Sequence, residues 1–176
     1  MTNCAISNST LEVEDPLPGQ VEKRDGVTGG GGAEFYASGC QAVLTDCIFT
    51  GNVSGGNGGA QTFRPSCNVE IMGGTYQNNA GNWNAGAIRL WDGCEASITD
   101  TMFSGNQATG KDTYGGALYV SAIEDPNAID WWYNGGTLNI SGSTFTGNDA
   151  TWGGALSGFS YEADILVSDC VIQGNT

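Results

Sequence analysis

The chain has 176 residues, 39% of them apolar, with 29 glycines and a formal charge of −14 set by 19 acids against five Lys and Arg. That length suffices for one domain with a substantial core, and the glycine content is far above the usual share of about 7%. The clustered positive charge that nucleic acids and anionic membrane surfaces require is missing, and no apolar run approaches the roughly 18 residues of a membrane-spanning helix, so neither nucleic-acid binding nor membrane insertion is expected.

The N-terminus, Met1-Thr2-Asn3-Cys4, lacks the basic and apolar regions of a signal peptide. The first element is a degenerate copy, Ile6-Ser7-Asn8-Ser9, of a segment that recurs along the chain. Residues 10 to 30 then interrupt the pattern. They carry Glu12, Glu14, Asp15, Glu22, Lys23, Arg24 and Asp25, and Pro16 and Pro18 oppose regular structure, which predicts a solvated loop. After Gly32-Ala33 the repeats become regular: Phe49-Thr50-Gly51-Asn52, Gly59-Ala60, Tyr76-Gln77-Asn78-Asn79, Gly86-Ala87, Phe103-Ser104-Gly105-Asn106 and Gly116-Ala117. Phe49, Tyr76 and Phe103 are 27 residues apart, as are Ala33, Ala60 and Ala87. About 12 inserted residues fall within 121 to 134, before Phe145-Thr146-Gly147-Asn148 and Gly154-Ala155. Ile172-Gln173-Gly174-Asn175 is the last copy. The chain begins and ends inside a repeat, so 1–176 reads as a single β-helix segment, a fragment of a longer repeat protein.

A fixed period of this size is the mark of stacked repeats. Val69 and Ile71, Ala96 and Ile98, Leu138 and Ile140, and Ile165 and Val167 all stand seven and five residues before the repeat aromatic. Period two means strand, with these side chains on one face. Ile88-Arg89-Leu90 and Leu118-Tyr119-Val120 form a second run after the Gly-Ala step. No helical periodicity competes. The predicted fold is all-β: a parallel β-helix of about five coils of about 27 residues, with equivalent residues stacked about 4.8 Å apart. Phe49, Tyr76, Phe103, Phe145 and Ile172 are then an internal stack, and Asn52, Asn79, Asn106, Asn148 and Asn175 an amide ladder at a bend. The residue before each Asn is Gly51, Asn78, Gly105, Gly147 or Gly174, types that tolerate positive φ.

The paired signatures Phe-x-x-Asn and Gly-Gly-Ala-[Ile/Leu/Val] resemble the repeats of the chlamydial polymorphic outer-membrane proteins, and those of other secreted β-helix proteins of the pectate-lyase-like superfamily. The match is close at Phe103-Ser104-Gly105-Asn106 with Gly115-Gly116-Ala117-Leu118, and at Phe145-Thr146-Gly147-Asn148 with Gly153-Gly154-Ala155-Leu156. It covers about residues 31 to 176. The resemblance implies right-handed winding and a surface or adhesive role. Glu34 and Gln61 depart from it where an apolar residue is expected.

The six cysteines follow the repeat. Cys40, Cys67 and Cys94 each lie seven after the repeat Ala, and Cys4, Cys47 and Cys170 two before the repeat aromatic. Adjacent coils bring Cα atoms into the bridging range of about 4.4–6.8 Å. The disulfide candidates are therefore Cys4–Cys47 and either Cys40–Cys67 or Cys67–Cys94. Buried thiols, small residues like Thr101 and Ser143 in the same column as Cys47, are the competing reading. A metal site is not expected: the chain has no His and no Cys-x-x-Cys.

Binding chemistry is concentrated in the second insertion. Trp131, Trp132 and Tyr133 can stack on sugar rings, and Glu124, Asp125 and Asp130 can accept hydroxyl hydrogen bonds. No cofactor is expected. Calcium is the ion those acids would take, although Asp125, Asn127 and Asp130 lack EF-hand spacing. Folding of Trp131 or Trp132 back over the coil flank is the competing reading. Trp83, Trp91, Tyr119, Trp152, Phe159 and Tyr161 could contribute to an exposed aromatic strip.

The expected function is that of a non-enzymatic extracellular or cell-surface segment, structural and adhesive: a stiff rod presenting loops. Its partners would be flanking repeats or copies of itself stacked end to end into a filament, and glycans or a host or cell-surface partner. A carbohydrate-binding or polysaccharide-modifying (lyase- or hydrolase-like) β-helix is one alternative. Against it, Asp46, Asp100 and Asp169 share a column but Gly73 and Gly142 interleave them. An ice-binding solenoid is another, with Thr45, Thr99, Ser141 and Ser168 in one column interrupted by Met72.

Overall fold

The computed structural model of the chain describes residues 1–7, 9–11, 32, 34–36, 39–64, 66–91, 93–121, 136–159 and 164–176. Among them the structure is all-β, and every ladder pairing is parallel. Four sheets run along the coil axis.

The long sheet contains Gln41–Thr45, Asn68–Met72, Glu95–Thr99, Thr137–Ser141 and Asp164–Ser168. The aromatic sheet contains Ala5–Ser7, Ile48–Thr50, Thr75–Gln77, Met102–Ser104, Thr144–Thr146 and Val171–Gln173. A short sheet of two-residue strands follows, Thr10–Leu11, Val53–Ser54, Ala80–Gly81 and Gln107–Ala108. The fourth sheet carries Glu34–Tyr36, Gln61–Phe63, Ile88–Leu90, Leu118–Ser121 and Leu156–Phe159. Each coil visits the four in that order. Equivalent positions pair without slippage: Val69 with Ala96, Ala96 with Leu138, and Leu138 with Ile165. The chain is thus a parallel β-helix, as its periodicity predicts.

The interior is built from the inward positions of the long, aromatic and fourth sheets. Phe49, Tyr76, Phe103 and Phe145 stack with centroids 4.8, 5.0 and 4.8 Å apart and ring planes within 14°. Full burial of each such ring contributes about 2–3 kcal/mol. Ile172 continues the column on the last coil, where it is 52% exposed.

The corners explain the glycine columns. Gly51, Asn78, Gly105, Gly147 and Gly174 all have φ between 52° and 64°, the left-handed turn the sequence predicts before each Asn. The Gly-Gly-Ala step divides its work. Its first position is again left-handed: Gly58, Ala85, Gly115 and Gly153 have φ of 59°, 58°, 67° and 65°. Its second position touches backbone. A Cβ on Gly86 would lie 2.1 Å from the Gly116 carbonyl oxygen, and one on Gly59 would lie 2.1 Å from that of Gly86. The tight point of this corner is therefore the second Gly. The Ala that follows is buried against the core.

At the end of each long strand, Asp46, Gly73, Asp100, Gly142 and Asp169 alternate, all at positive φ. A Cβ on Gly73 would lie 2.4 Å from Asp46 Oδ1, and one on Gly142 would lie 2.3 Å from Asp100 Oδ1. Asp46 and Asp100 thus lean over the glycine of the next coil, which leaves these carboxylates in alternate coils.

Candidate functional site: the lateral faces of the coil

The Asn column forms a continuous ladder. Asn52 Nδ2 donates to Asn79 Oδ1 at 2.9 Å, Asn79 to Asn106 at 2.9 Å, Asn106 to Asn148 at 2.9 Å and Asn148 to Asn175 at 2.8 Å. Each Oδ1 also accepts the backbone N–H of the preceding Asn, at 2.9–3.1 Å. The second Nδ2 proton reaches the aromatic carbonyl of the coil before, as Asn79 does to Phe49 and Asn106 to Tyr76. Asn52, Asn79, Asn106 and Asn148 are wholly buried. Such a network stabilises because every group in it is partnered, and its role is structural.

Trp131, Trp132, Tyr133, Glu124, Asp125 and Asp130 lie outside the described residues, as does most of the first insertion. Among the described residues, binding surface is offered by the outer face of the long sheet. An open groove of about 610 Å³ runs across the first four of its strands. Its outward side chains include Gln41, Asn68, Glu70, Glu95, Ser97 and Asn139, all exposed. Because the strands pair in register, these stand in two columns: Gln41, Asn68, Glu95 and Thr137 in one, and Val43, Glu70, Ser97 and Asn139 in the other. Amide, hydroxyl and carboxylate groups therefore repeat every 4.8 Å or so along the axis, with no cation among the lining residues. Such a surface can hydrogen-bond hydroxyl or amide groups of an extended ligand and attract positive charge. The sequence signal is present, since these are the outward positions of the period-two strands. Single polar residues at such positions carry a weaker signal than a run of three aromatics.

The expected aromatic strip is different in kind. Trp91 and Tyr119 are buried, whereas Trp152 is 55% exposed. Arg64 and Arg89 place their guanidinium carbons 4.5 and 4.3 Å from the Trp91 ring centroid, and Arg89 also lies 5.5 Å from Tyr119. Tyr119 continues to Tyr114 at 5.5 Å, and Tyr114 to Trp152 at 6.5 Å. Arg89 occupies an outward position of the fourth sheet between Thr62 and Tyr119 and is only 2% exposed. A desolvated guanidinium over aromatic faces is worth about 2 kcal/mol or more per stack. Two of the five cations of an acidic chain are thus committed to packing.

The six cysteines are thiols in this structure. Cys4 and Cys47 are in register in adjacent coils. Cys40, Cys67 and Cys94 precede the first three long strands in register. Cys67 and Cys94 are buried and Cys40 half-buried. Cys170 Sγ donates to Ser168 O at 3.1 Å. Among the described residues no group of three acid, cysteine or histidine side chains is placed to hold a metal ion.

Residues 100–121 match the Chlamydia polymorphic membrane protein repeat. That span starts at the Asp100 turn and contains Phe103, Asn106 and the Gly115-Gly116-Ala117 step, so it runs from one ladder rung through the next corner. A 79-residue stretch is 33% identical to the probable autotransporter YfaL of Escherichia coli (strain K12). It amounts to 45% of this chain and 6% of that protein, so the chain spans a small fraction of the relative it matches. No solved structure matches. The chain carries β-helix repeats like those of the chlamydial polymorphic membrane proteins.

Proposed function

We propose that this chain is a non-enzymatic structural and adhesive segment of a cell-surface protein, a stiff solenoid whose lateral faces present binding surface. The observation that carries the reading is the unbroken in-register stack: one amide ladder and one aromatic column pass through every regular coil. The similarity to a polymorphic membrane protein repeat and to a probable autotransporter supports display at the cell surface. The same in-register stack supports flanking repeats of this pattern, or further copies of the chain, as axial partners.

The adhesive surface in this reading is the polar groove of the long sheet, with residues 121 to 134 as the second candidate. Its ligand is an extended glycan whose hydroxyls or amines meet Asn68, Glu70, Glu95 and Asn139. A glycan-array screen with and without calcium tests it. Specific binding that Glu70→Gln/Glu95→Gln and Asn139→Ala weaken assigns the groove, and binding lost only on Trp131→Ala/Trp132→Ala moves the site to the loop. Binding by neither surface, together with end-to-end multimers in light scattering, would leave a purely structural rod. Turnover of a bound polysaccharide, abolished by a single carboxylate change, would replace the adhesive reading with an enzymatic one.

A further inference from the structure

The Cys40, Cys67 and Cys94 thiols form a contiguous column with a gradient of access. They stand in three consecutive coils, since Gln41 pairs with Asn68 and Asn68 with Glu95. Cys67 stands between Cys40 and Cys94 in the column, close enough to each for their charges to be felt. The next position in the column is Gly136, whose added Cβ would lie 2.6 Å from the Cys94 carbonyl oxygen, so the run of sulfur atoms ends at Cys94. Cys40 is half-buried, and Cys67 and Cys94 are each 1% exposed. The Cys94 thiol is engaged elsewhere, donating to Arg64 O at 3.2 Å.

We infer that this column is an oxidation site with a fixed outcome: an external disulfide enters at Cys40 and leaves a Cys40–Cys67 bridge, with Cys94 kept as a buried thiol. The chemistry is two exchanges. The Cys40 thiolate attacks one sulfur of a small-molecule disulfide, RSSR, forming a Cys40–SR mixed disulfide and releasing RS⁻, which takes up a proton. The Cys67 thiolate then attacks Cys40 Sγ, expelling the second RS⁻. The two protein thiols lose two electrons, and RSSR is reduced to two RSH.

Three physical reasons choose this pair. Of the three, Cys40 alone is part-exposed in this chain. From a mixed disulfide on Cys40, Cys67 is one coil away, inside the bridging range, whereas Cys94 is two coils away, about 9.6 Å, and outside it. Migration of the bridge inward would require a Cys94 thiolate. Burial raises the Cys67 thiol as well but pushes Cys94 up to about 12, so the nucleophilic form of Cys94 is the scarcer at neutral pH.

The test uses the whole chain, reduced and then held in glutathione disulfide. Thiols are alkylated before and after denaturation, with two different labels, and the peptides are mapped by mass spectrometry. Trypsin leaves Arg64-Pro65 uncut, so Cys40, Cys47 and Cys67 fall within 25–89 and Cys94 within 90–111. The expected result is an internal Cys40–Cys67 link in 25–89, assigned by chymotryptic fragments, and a 90–111 peptide carrying only the post-denaturation label. A linked 25–89/90–111 pair, or three labelled thiols and no bridge, overturns the inference. In Cys40→Ala, disulfide at Cys67 should fall by about tenfold or more, and in Cys94→Ala it should be unchanged. Formation of Cys67–Cys94 in Cys40→Ala at the wild-type rate would also overturn it. Circular dichroism on both variants confirms that each retains the β-helix before its bridges are compared.

Discussion

Tyr76 Oη donates to Gln61 Oε1 at 2.6 Å inside the core, and each is a polar departure from the apolar residues of its column. Tyr76 replaces Phe in a stack of Phe rings, and Gln61 replaces the Ile or Leu found at 88, 118 and 156. Each exception partners the other. Tyr76→Phe should destabilise the fold by about 1–3 kcal/mol, because Gln61 loses a buried donor. Gln61→Leu should cost a similar amount. The double variant should recover most of the loss, giving a coupling energy of about 1–3 kcal/mol in urea unfolding. Strictly additive losses would refute the pairing.

Asn106 is the middle rung of the amide ladder. Its side chain joins Asn79, Asn148 and the Tyr76 carbonyl. Asn106→Ala should cost about 4 kcal/mol or more, a large value because several buried partners are orphaned at once. Asn106→Asp carries a further signature. A carboxylate there is desolvated, so its folded-state pKa is raised above the unfolded value. The variant's stability is then greatest at acid pH and is lost as pH rises through that raised pKa. Thermal melts from pH 3 to 7 should therefore show the variant losing stability relative to wild type with rising pH.

The second glycine of the Gly-Gly-Ala step is predicted to be far less tolerant than glycines that only need positive φ. Gly86→Ala drives a Cβ against a carbonyl oxygen of the next coil, so a loss of about 3 kcal/mol or more is expected. Gly147 has φ 63° and open space around its missing Cβ. Gly147→Ala should cost only the left-handed penalty, about 1–2 kcal/mol. Equal effects in chemical denaturation would show that backbone contact is not what selects Gly86.

Cys94 gives the fold an alkaline weakness. Burial raises its thiol from 9.0 to about 12. A raised folded-state pKa means that this contribution is complete below pH 9 and is withdrawn as pH climbs toward 12. Under reducing conditions the unfolding midpoint should fall across that window. Cys94→Ala should flatten the fall relative to wild type, the contribution of tyrosine and lysine titration being common to both proteins.

Much of the architecture was legible because the same residue must solve the same steric problem in each coil. The Phe and Asn columns, the left-handed corner before Asn and the inward pairs Val69/Ile71 and Ala96/Ile98 all stand where the 27-residue register puts them. The two-residue strands such as Val53–Ser54 were not legible, since two residues carry no period. Burial of Arg89 was also hidden. It points outward in its strand, and its environment is made by Trp91 and by Tyr119 from the next coil, a relation that appears only when the coils are stacked. The polar groove was written in the outward positions 68, 70, 95 and 97, but single polar residues on strands look alike until registration aligns them.

The in-register stack also sets how the molecule would respond to load. Each coil adds only about 4.8 Å to the length of the rod, yet it stores 27 residues of chain between equivalent positions such as Ile71 and Ile98. A coil peeled from the end would release about 90 Å of extended tether. Under tension such a rod would lengthen in discrete steps, each opening one rung of amides and one ring contact while the coils beneath stay wound, so that a pull on one end is absorbed as slack before it reaches the other.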